Sequence, residues 1–309
     1  EFPVLFLGAA PQQTPALYSL MNYADLKLGT WYPLGGMHQI IDAMVSLATE
    51  LGVIFHLGEE VVEIEMQGNN INQLITTKRK LKPDMVVAAA DYHHVEQNLL
   101  PAEARQYSPE YWSSRTMAPS SLIFYLGVNK RLQGLRHHNL FFDESLDEHA
   151  KDIYDNPRWP RKPLFYVCAP SITDPSVAPE GCENLFVLVP LAPGLEDNES
   201  TREAYFDLVM RRIKELTSQS VKDHIVLKRS YAMQDFKNDY HSYKGNAYGL
   251  ANTLRQTAFL KPKMKSRKVK NLYYTGQLTT PGPGVPPSLI SGQVVAREIS
   301  KHLQTTKHL

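Results

Sequence analysis

One stretch constrains this chain more than any other. Tyr274-Thr275-Gly276-Gln277-Leu278-Thr279-Thr280-Pro281-Gly282-Pro283-Gly284-Val285-Pro286-Pro287-Ser288 joins an apolar run at 271–275 to a helical pattern from about 287 to 303. A strand that turns directly into a helix needs room at its end, which Gly276 leaves, and unusual backbone angles in the loop, which Gly282 and Gly284 permit. Pro286-Pro287 preorganises the first helical turn. The pattern predicts a helix N-terminus with free N–H groups, carrying roughly half a positive charge and suited to a phosphate or to the pyrimidine edge of a reduced, anionic flavin. A tight turn with no ligand is the competing reading, since glycine-proline loops are common punctuation.

The rest of the chain reads as alternating helix and strand. Residues 1–34 look helical and apolar, and Gly35-Gly36 breaks them. Met37, Ile40, Ile41, Met44, Leu47, Ala48 and Leu51 then fall on one helical face, which Gly52 ends. Three β-rich runs follow at 53–57, 61–66 and 71–77, and Gly68-Asn69-Asn70 makes the last two a hairpin. The continuous apolar run 85–90 predicts a buried strand that ends at Asp91, a strand-end turn residue rather than a base, before a helix over about 92–100.

The middle differs. Strand-like runs at 122–128, 164–169, 185–189 and 225–232 are separated by proline-rich loops, with one strong helix between them. Ser200, with Glu203 completing a capping box, opens that helix, and Ala204, Tyr205, Leu208, Val209, Ile213 and Leu216 face inward. The fold class is α/β with an α+β region built on a mostly antiparallel sheet.

Composition narrows the function classes. The 309 residues suffice for about two domains, and 33 basic against 32 acidic side chains leave a net charge of +1, unlike a nucleic-acid binder. Cys168 and Cys182 make no disulfide scaffold or zinc ribbon, which points to a reducing compartment. His93-His94 and His137-His138 are adjacent pairs whose neighbours point in different directions, so neither reads as a chelate and no metal is expected. The basic run Lys261, Lys263, Lys265, Arg267, Lys268 and Lys270 reads first as a solvated loop, and functionally as attraction to anionic lipid. No apolar run reaches the ~18 residues of a membrane span. A cytoplasmic protein, peripheral to a membrane through Lys261 to Lys270, is the expectation.

Motif order carries a resemblance. Pro33-Leu34-Gly35-Gly36, the Val61 strand, Ala88-Ala89-Ala90-Asp91, Ala169-Pro170-Ser171-Ile172-Thr173-Asp174, Ala178-Pro179-Glu180-Gly181-Cys182 and the Gly276–Pro287 loop occur in one order. Together they resemble the carotenoid (phytoene) desaturase family of FAD-dependent oxidoreductases, related to the amine oxidases, along essentially the whole chain. The Gly-x-Gly-x-x-Gly turn that holds the FAD pyrophosphate in such proteins occurs nowhere in the sequence. The chain therefore reads as the C-terminal part of a larger enzyme, an incomplete glutathione-reductase-like FAD/NAD(P)-binding fold that by itself neither retains FAD nor turns over.

The resemblance implies two interleaved domains, with 35–98 and 271–309 in the flavin domain and 1–34 and 99–270 in the substrate domain. It implies that Gly35, Gly36, Val61, Gly276, Gly284 and Val285 approach FAD. It implies hydride transfer from a hydrophobic, phytoene-like polyene, which asks little of ionisable side chains and much of an apolar tunnel. Phe6, Tyr18, Trp31, Tyr32, Phe124 and Tyr166 are the candidate lining, although each alone reads as an ordinary core aromatic. Leu34 and Thr280 stand where many relatives carry a basic residue and a histidine. The alternatives are a carotenoid isomerase, a retinol-saturase-like flavoenzyme or a non-enzymatic lipid-binding module. No catalytic residue and no oligomeric state follows from the sequence.

Overall fold

The chain, described by a computed structural model over residues 8–307, begins with short helical turns and then helix α1 (His38–Glu50). Strands β1 (Val61–Gln67), β2 (Asn70–Thr76), β3 (Lys80–Leu81) and β4 (Val86–Ala88) follow, then helix α2 (Tyr92–His94), which runs on as a π turn at Val95–Leu99. Next come β5 (Ser120–Val128), β6 (His138–Phe141), α3 (Leu146–Tyr154), β7 (Phe165–Cys168), β8 (Glu183–Leu191), α4 (Glu199–Thr217), β9 (Ile225–Tyr231), α5 (Met233–Tyr240), β10 (Leu272–Tyr274) and α6 (Val285–Lys307). The chain divides into two units, one made of residues 8–18, 56–119 and 236–307, the other of 19–55 and 120–235.

The second unit is built on a five-stranded antiparallel sheet in the order β6-β7-β8-β5-β9. Strand alternation sends Leu122, Phe124, Leu126 and Val128 of β5 and Leu185, Val187 and Val189 of β8 to one face. There they pack with Phe206, Val209, Met210 and Ile213 of α4. Burying each large side chain contributes about 1.5–3 kcal/mol, which makes this layer the main source of the unit's stability. The predicted strands form, but α4 is capped differently. Asn198, not Ser200, accepts the Thr201 N–H at 2.9 Å, and Glu203 pairs with Lys228 at 2.5 Å instead of closing a capping box. Ala204 and Leu216 of α4 are exposed, because Phe206 and Met210 take the inward positions.

Among the elements that the sequence did not lead one to expect are β6 and α3. Polar residues hide both. His149 and Asp152 of α3 are buried, His149 accepting the Leu164 N–H at 3.0 Å and bonding the Pro190 carbonyl at 2.9 Å, so the inward face of α3 is not an apolar one. Ser145 caps it by accepting the Glu148 N–H at 3.3 Å.

In the first unit β1 and β2 form the predicted hairpin, extended by β3, and β4 pairs in parallel with β10. Tyr92 stacks on Tyr274 with ring centroids 3.7 Å apart, and Trp112, Leu250, Val269 and Leu272 complete the core around them. Asp91 is the N-cap of α2, accepting the His94 N–H at 3.0 Å, which is the turn role its position suggests.

Several apolar runs do not behave as their pattern predicts. Residues 53–57 form no strand, and β4 is only half-buried, with Val87 at 45% exposure. A strand needs a ladder partner, and none of the described residues pairs with 53–57. Helix α1 buries no residue at all, with Ile41, Met44 and Leu47 exposed, and α6 buries little beyond Ser291 and Val295. The 3.6-residue period sets these helices, but no described element covers their apolar faces. The described part of 8–34 holds a 3-10 turn at Pro11–Gln13 and then one continuous helical run, whose hydrogen bonding passes from 3-10 (Ala16–Ser19) through α (Leu20–Tyr23) to π (Ala24–Leu28).

Candidate functional site

In the first unit, β10 feeds the Gly276–Gly284 loop. Ser291 of α6, fully buried, accepts the Gly276 N–H at 2.9 Å and bonds the Thr275 hydroxyl at 2.6 Å, which ties the strand end to the helix. Gly276, Gly282 and Gly284 all have positive φ, at 98°, 135° and 108°. The helix starts at Val285, two residues earlier than expected, and its N-terminus offers less than the sequence suggests. Pro286 and Pro287 have no N–H, and the Ser288 N–H already bonds the Gly284 carbonyl at 3.0 Å. The Val285 amide is what the first turn has to give.

Beneath this loop lies a side chain whose burial the sequence did not reveal. Lys261 is 2% exposed, its ammonium has no hydrogen-bond partner among the described residues, and burial pushes its pKa down to about 8. Its Nζ and the Oδ1 of Asn252, which also has no partner among the described residues, each lie 3.5 Å from where a Cβ on Gly282 would sit. Lys261 thus does not belong with a solvated basic loop. Lys265, Arg267, Lys268 and Lys270 are exposed, and Lys263 is half-buried with its amine donating to the Phe259 carbonyl at 2.9 Å.

In the second unit the sheet face opposite the core is aromatic. Tyr125 of β5 and Phe186 of β8 are register partners with rings 5.6 Å apart, and Tyr166 of β7 lies 6.3 Å from Phe186. At the end of this row, Tyr166 bonds His138 Nδ1 at 2.6 Å through its hydroxyl. Tyr32 meets His137 edge-on at 4.7 Å, and burial, aided by the Asp174 charge, raises the pKa of its phenol. The Gly35-Gly36 turn is held here too, because Asp174 accepts the Gly35 N–H at 2.7 Å.

The predicted residues therefore separate. Tyr32, Tyr166, Gly35 and Gly36 belong to this region, whereas Phe124 is fully buried on the other face, against Phe206 at 5.3 Å, and is core. Trp31 is 88% exposed, its indole N–H donating to the Leu28 carbonyl at 3.2 Å. Tyr18 pairs with the Thr257 hydroxyl at 2.7 Å in the first unit, where Val61 opens β1 at the rim of the core. Phe6 lies outside the described residues. Tyr125 and Phe186 were missed. The signal was present in strand alternation: with Phe124 committed to the core, its neighbour Tyr125 must face the other way.

Open backbone at the loop suits a planar ring. A Cβ on Gly276 would meet only the Ala89 carbonyl, at 3.9 Å, and Gly284 and Val285 are exposed. The residues present thus fit the ring end of a flavin, while the sequence has no glycine fingerprint for its pyrophosphate.

The chain belongs to the flavin containing amine oxidoreductase family, whose model matches residues 2–300. It is 44% identical over 299 residues to the carotenoid 3,4-desaturase of Haloarcula japonica, an alignment covering 97% of this chain and 60% of that protein. It is 33% identical to the zeta-carotene-forming phytoene desaturase of Myxococcus xanthus, covering 99% and 59%, and 32% identical to the 4,4'-diapolycopene oxygenase of a Methylomonas species, covering 97% and 61%. The chain spans about 60% of the length of these relatives. Among solved structures, an oxidoreductase from Methanosarcina mazei matches with a TM-score of 0.67 at 17% identity, covering 96% of this chain and 63% of that one. Cyclohexylamine oxidase from Brevibacterium oxydans matches at 0.54 and 12%, covering 98% and 63%. At such identities these two speak for the fold alone, a mixture of helix and sheet. Among the described residues no helix is long and apolar enough to cross a membrane.

Proposed function

We propose that this chain carries the flavin-ring and substrate-facing parts of an FAD-dependent enzyme that desaturates a carotenoid-type polyene, on an incomplete dinucleotide-binding fold. The observation that carries the reading is the row Tyr125, Phe186 and Tyr166 on the non-core face of the sheet. A conjugated hydrocarbon offers nothing to hydrogen-bond, so its recognition rests on apolar and aromatic contact over a long surface. FAD, when bound, supplies the two-electron acceptor for a hydride leaving one carbon of the new double bond, with a proton lost from its neighbour. The residues of this chain bind and orient. Gly276, Gly284 and the Val285 N–H are the backbone groups for the ring edge, and the aromatic row lays out the polyene. Lys265, Arg267, Lys268 and Lys270 remain as a contact to anionic lipid, from which such a substrate is drawn.

Expression of the full open reading frame in a host that accumulates phytoene or a partly desaturated carotene, followed by pigment analysis, tests the reading. Conversion to a more unsaturated polyene is the expected result. Unchanged pigment, with the protein present and flavin-loaded, overturns it.

A further inference from the structure

Strands β6 and β7 bring together three side chains that the sequence holds thirty positions apart. His138 and Cys168 are direct register partners, so their side chains project from the same face, and the Ala169 N–H donates to the His137 carbonyl at 2.8 Å. His137 precedes the first residue of β6, and strand alternation does not separate it from His138. Their rings lie 4.4 Å apart. One nitrogen of each imidazole and the Cys168 Sγ all fall within 4.8 Å of one another.

We propose that His137, His138 and Cys168 form a three-ligand site for a borderline-soft divalent cation, of which Zn²⁺ is the type. Two imidazoles and a thiolate are the donor set that such ions prefer over Mg²⁺ or Ca²⁺. Tetrahedral bonds of about 2.0–2.3 Å put ligand atoms roughly 3.5 Å apart, so the three donors close on an ion with shifts of about an ångström. The outer contacts are those of a metal site. His137 Nδ1 is engaged by the Thr173 hydroxyl at 2.6 Å, which turns Nε2 inward, and that Nε2 is buried without a partner among the described residues. Tyr166 bonds His138 Nδ1 at 2.6 Å and the Cys168 thiol, and so orients two ligands at once. The Asp174 carboxylate acts on His137 from close by and adds negative charge.

Metal is bound by neutral imidazole and by thiolate. Binding then exchanges the S–H bond for a metal–sulfur bond and releases one proton to solvent, with no change of oxidation state. His138 is exposed, which leaves the site open to entry, and three protein ligands leave a fourth position for water.

Titration of the reduced, metal-free protein with CoCl₂ tests the site. The expected result is a near-ultraviolet thiolate-to-cobalt charge-transfer band that ZnCl₂ abolishes by displacement. Cys168→Ser eliminates the band, Cys182→Ser keeps it, and His137→Ala weakens binding by roughly 100-fold. Thr173→Val, which touches no ligand bond, keeps the band with roughly 10-fold weaker binding. Absence of the band in the wild-type protein overturns the proposal, and so does a band that survives Cys168→Ser or disappears with Cys182→Ser. Far-ultraviolet circular dichroism of each variant separates lost ligation from lost fold.

Discussion

Asp174 accepts the amide hydrogen of Gly35 at 2.7 Å across 139 positions of sequence, and this single contact ties the Gly35-Gly36 turn to the segment before β8. The carboxylate also accepts from the Ser176 hydroxyl at 2.6 Å and the Ser176 N–H at 3.0 Å. Gly35 and Gly36 both have positive φ, at 88° and 100°, so the turn needs glycine and is held in place chiefly from outside.

Asp174→Ala therefore frees the turn. Amide exchange at Gly35 and Gly36 rises several-fold, while the core of the sheet exchanges as before. The Ser176 and Gly35 hydrogen bonds hold the Asp174 carboxyl below its usual range. A depressed carboxyl stabilises the fold above its unfolded pKa and loses that contribution as pH falls through its folded value. The turn of the wild-type protein loosens below about pH 4, and the variant shows no such acid transition.

Glu96 gives the opposite slope. It is fully buried, accepts the Gln106 and Tyr107 N–H groups at 3.2 and 3.1 Å, and is pushed up to about 7 by burial. A folded pKa above the unfolded 4.5 means that the stability is present below pH 4.5 and lost as pH rises through 7. The loss is of order 3 kcal/mol. Asp91, raised by burial to about 6, adds to this slope, and His93, lowered by burial to about 4, opposes it between pH 6.5 and 4. Glu96→Gln isolates the first contribution: subtracting its stability from that of the wild type across pH 4.5–7 leaves the Glu96 slope alone. Parallel curves would show that this carboxyl does not titrate in that window.

The sheet supplies a comparison between adjacent residues. Phe124 is fully buried and Tyr125 is 40% exposed on the opposite face. Phe124→Ala costs about 3–5 kcal/mol in denaturant unfolding, through the cavity it leaves. Tyr125→Ala costs less, about 1 kcal/mol, since its partly exposed ring leaves no enclosed cavity. Under the proposed function, it is Tyr125→Ala that changes carotene conversion in pigment assays of the full protein, at equal protein and flavin levels.

This pair also shows what was legible in the sequence. The strands of the second unit were readable because both faces of β5 and β8 are apolar and the β-branched runs are long, but a strand apolar on both faces does not say which face is core. Phe124 was placed on the wrong side for that reason. Short β6 and polar-faced α3 carried no apolar period to read, and with β6 unseen the approach of Cys168 to His137 and His138 was invisible. The strand-loop-helix at Gly276 was legible from its glycines and prolines. Lys261 was not, because a lysine among five other basic residues gives no local sign of burial.

Helix α1 shows the limit of periodicity in another way. Ile41 and Leu47 are 51% and 58% exposed although they sit on a regular apolar face. Replacing them with Gln and Lys changes the stability of this chain by no more than about 0.5 kcal/mol, because neither side chain is in a core. The same exchange lowers the binding of a hydrophobic dye. A loss of several kcal/mol would mean that the face is covered.

Lys261 reverses the usual effect of a core substitution. Its ammonium is buried without a partner among the described residues, and burial pulls the folded pKa to about 8 from 10.5. A depressed lysine binds fewer protons folded than unfolded between those values, so stability increases as pH rises from 8 to 10.5. Below pH 8 the fold carries the full cost of the buried charge, of order 3 kcal/mol. Lys261→Met keeps the aliphatic stem and discards the charge. The expected outcome is a higher Tm at pH 7 and a flat profile from pH 8 to 10.5. A lower Tm in the variant would instead mean that the ammonium has a partner beneath the Gly282 loop.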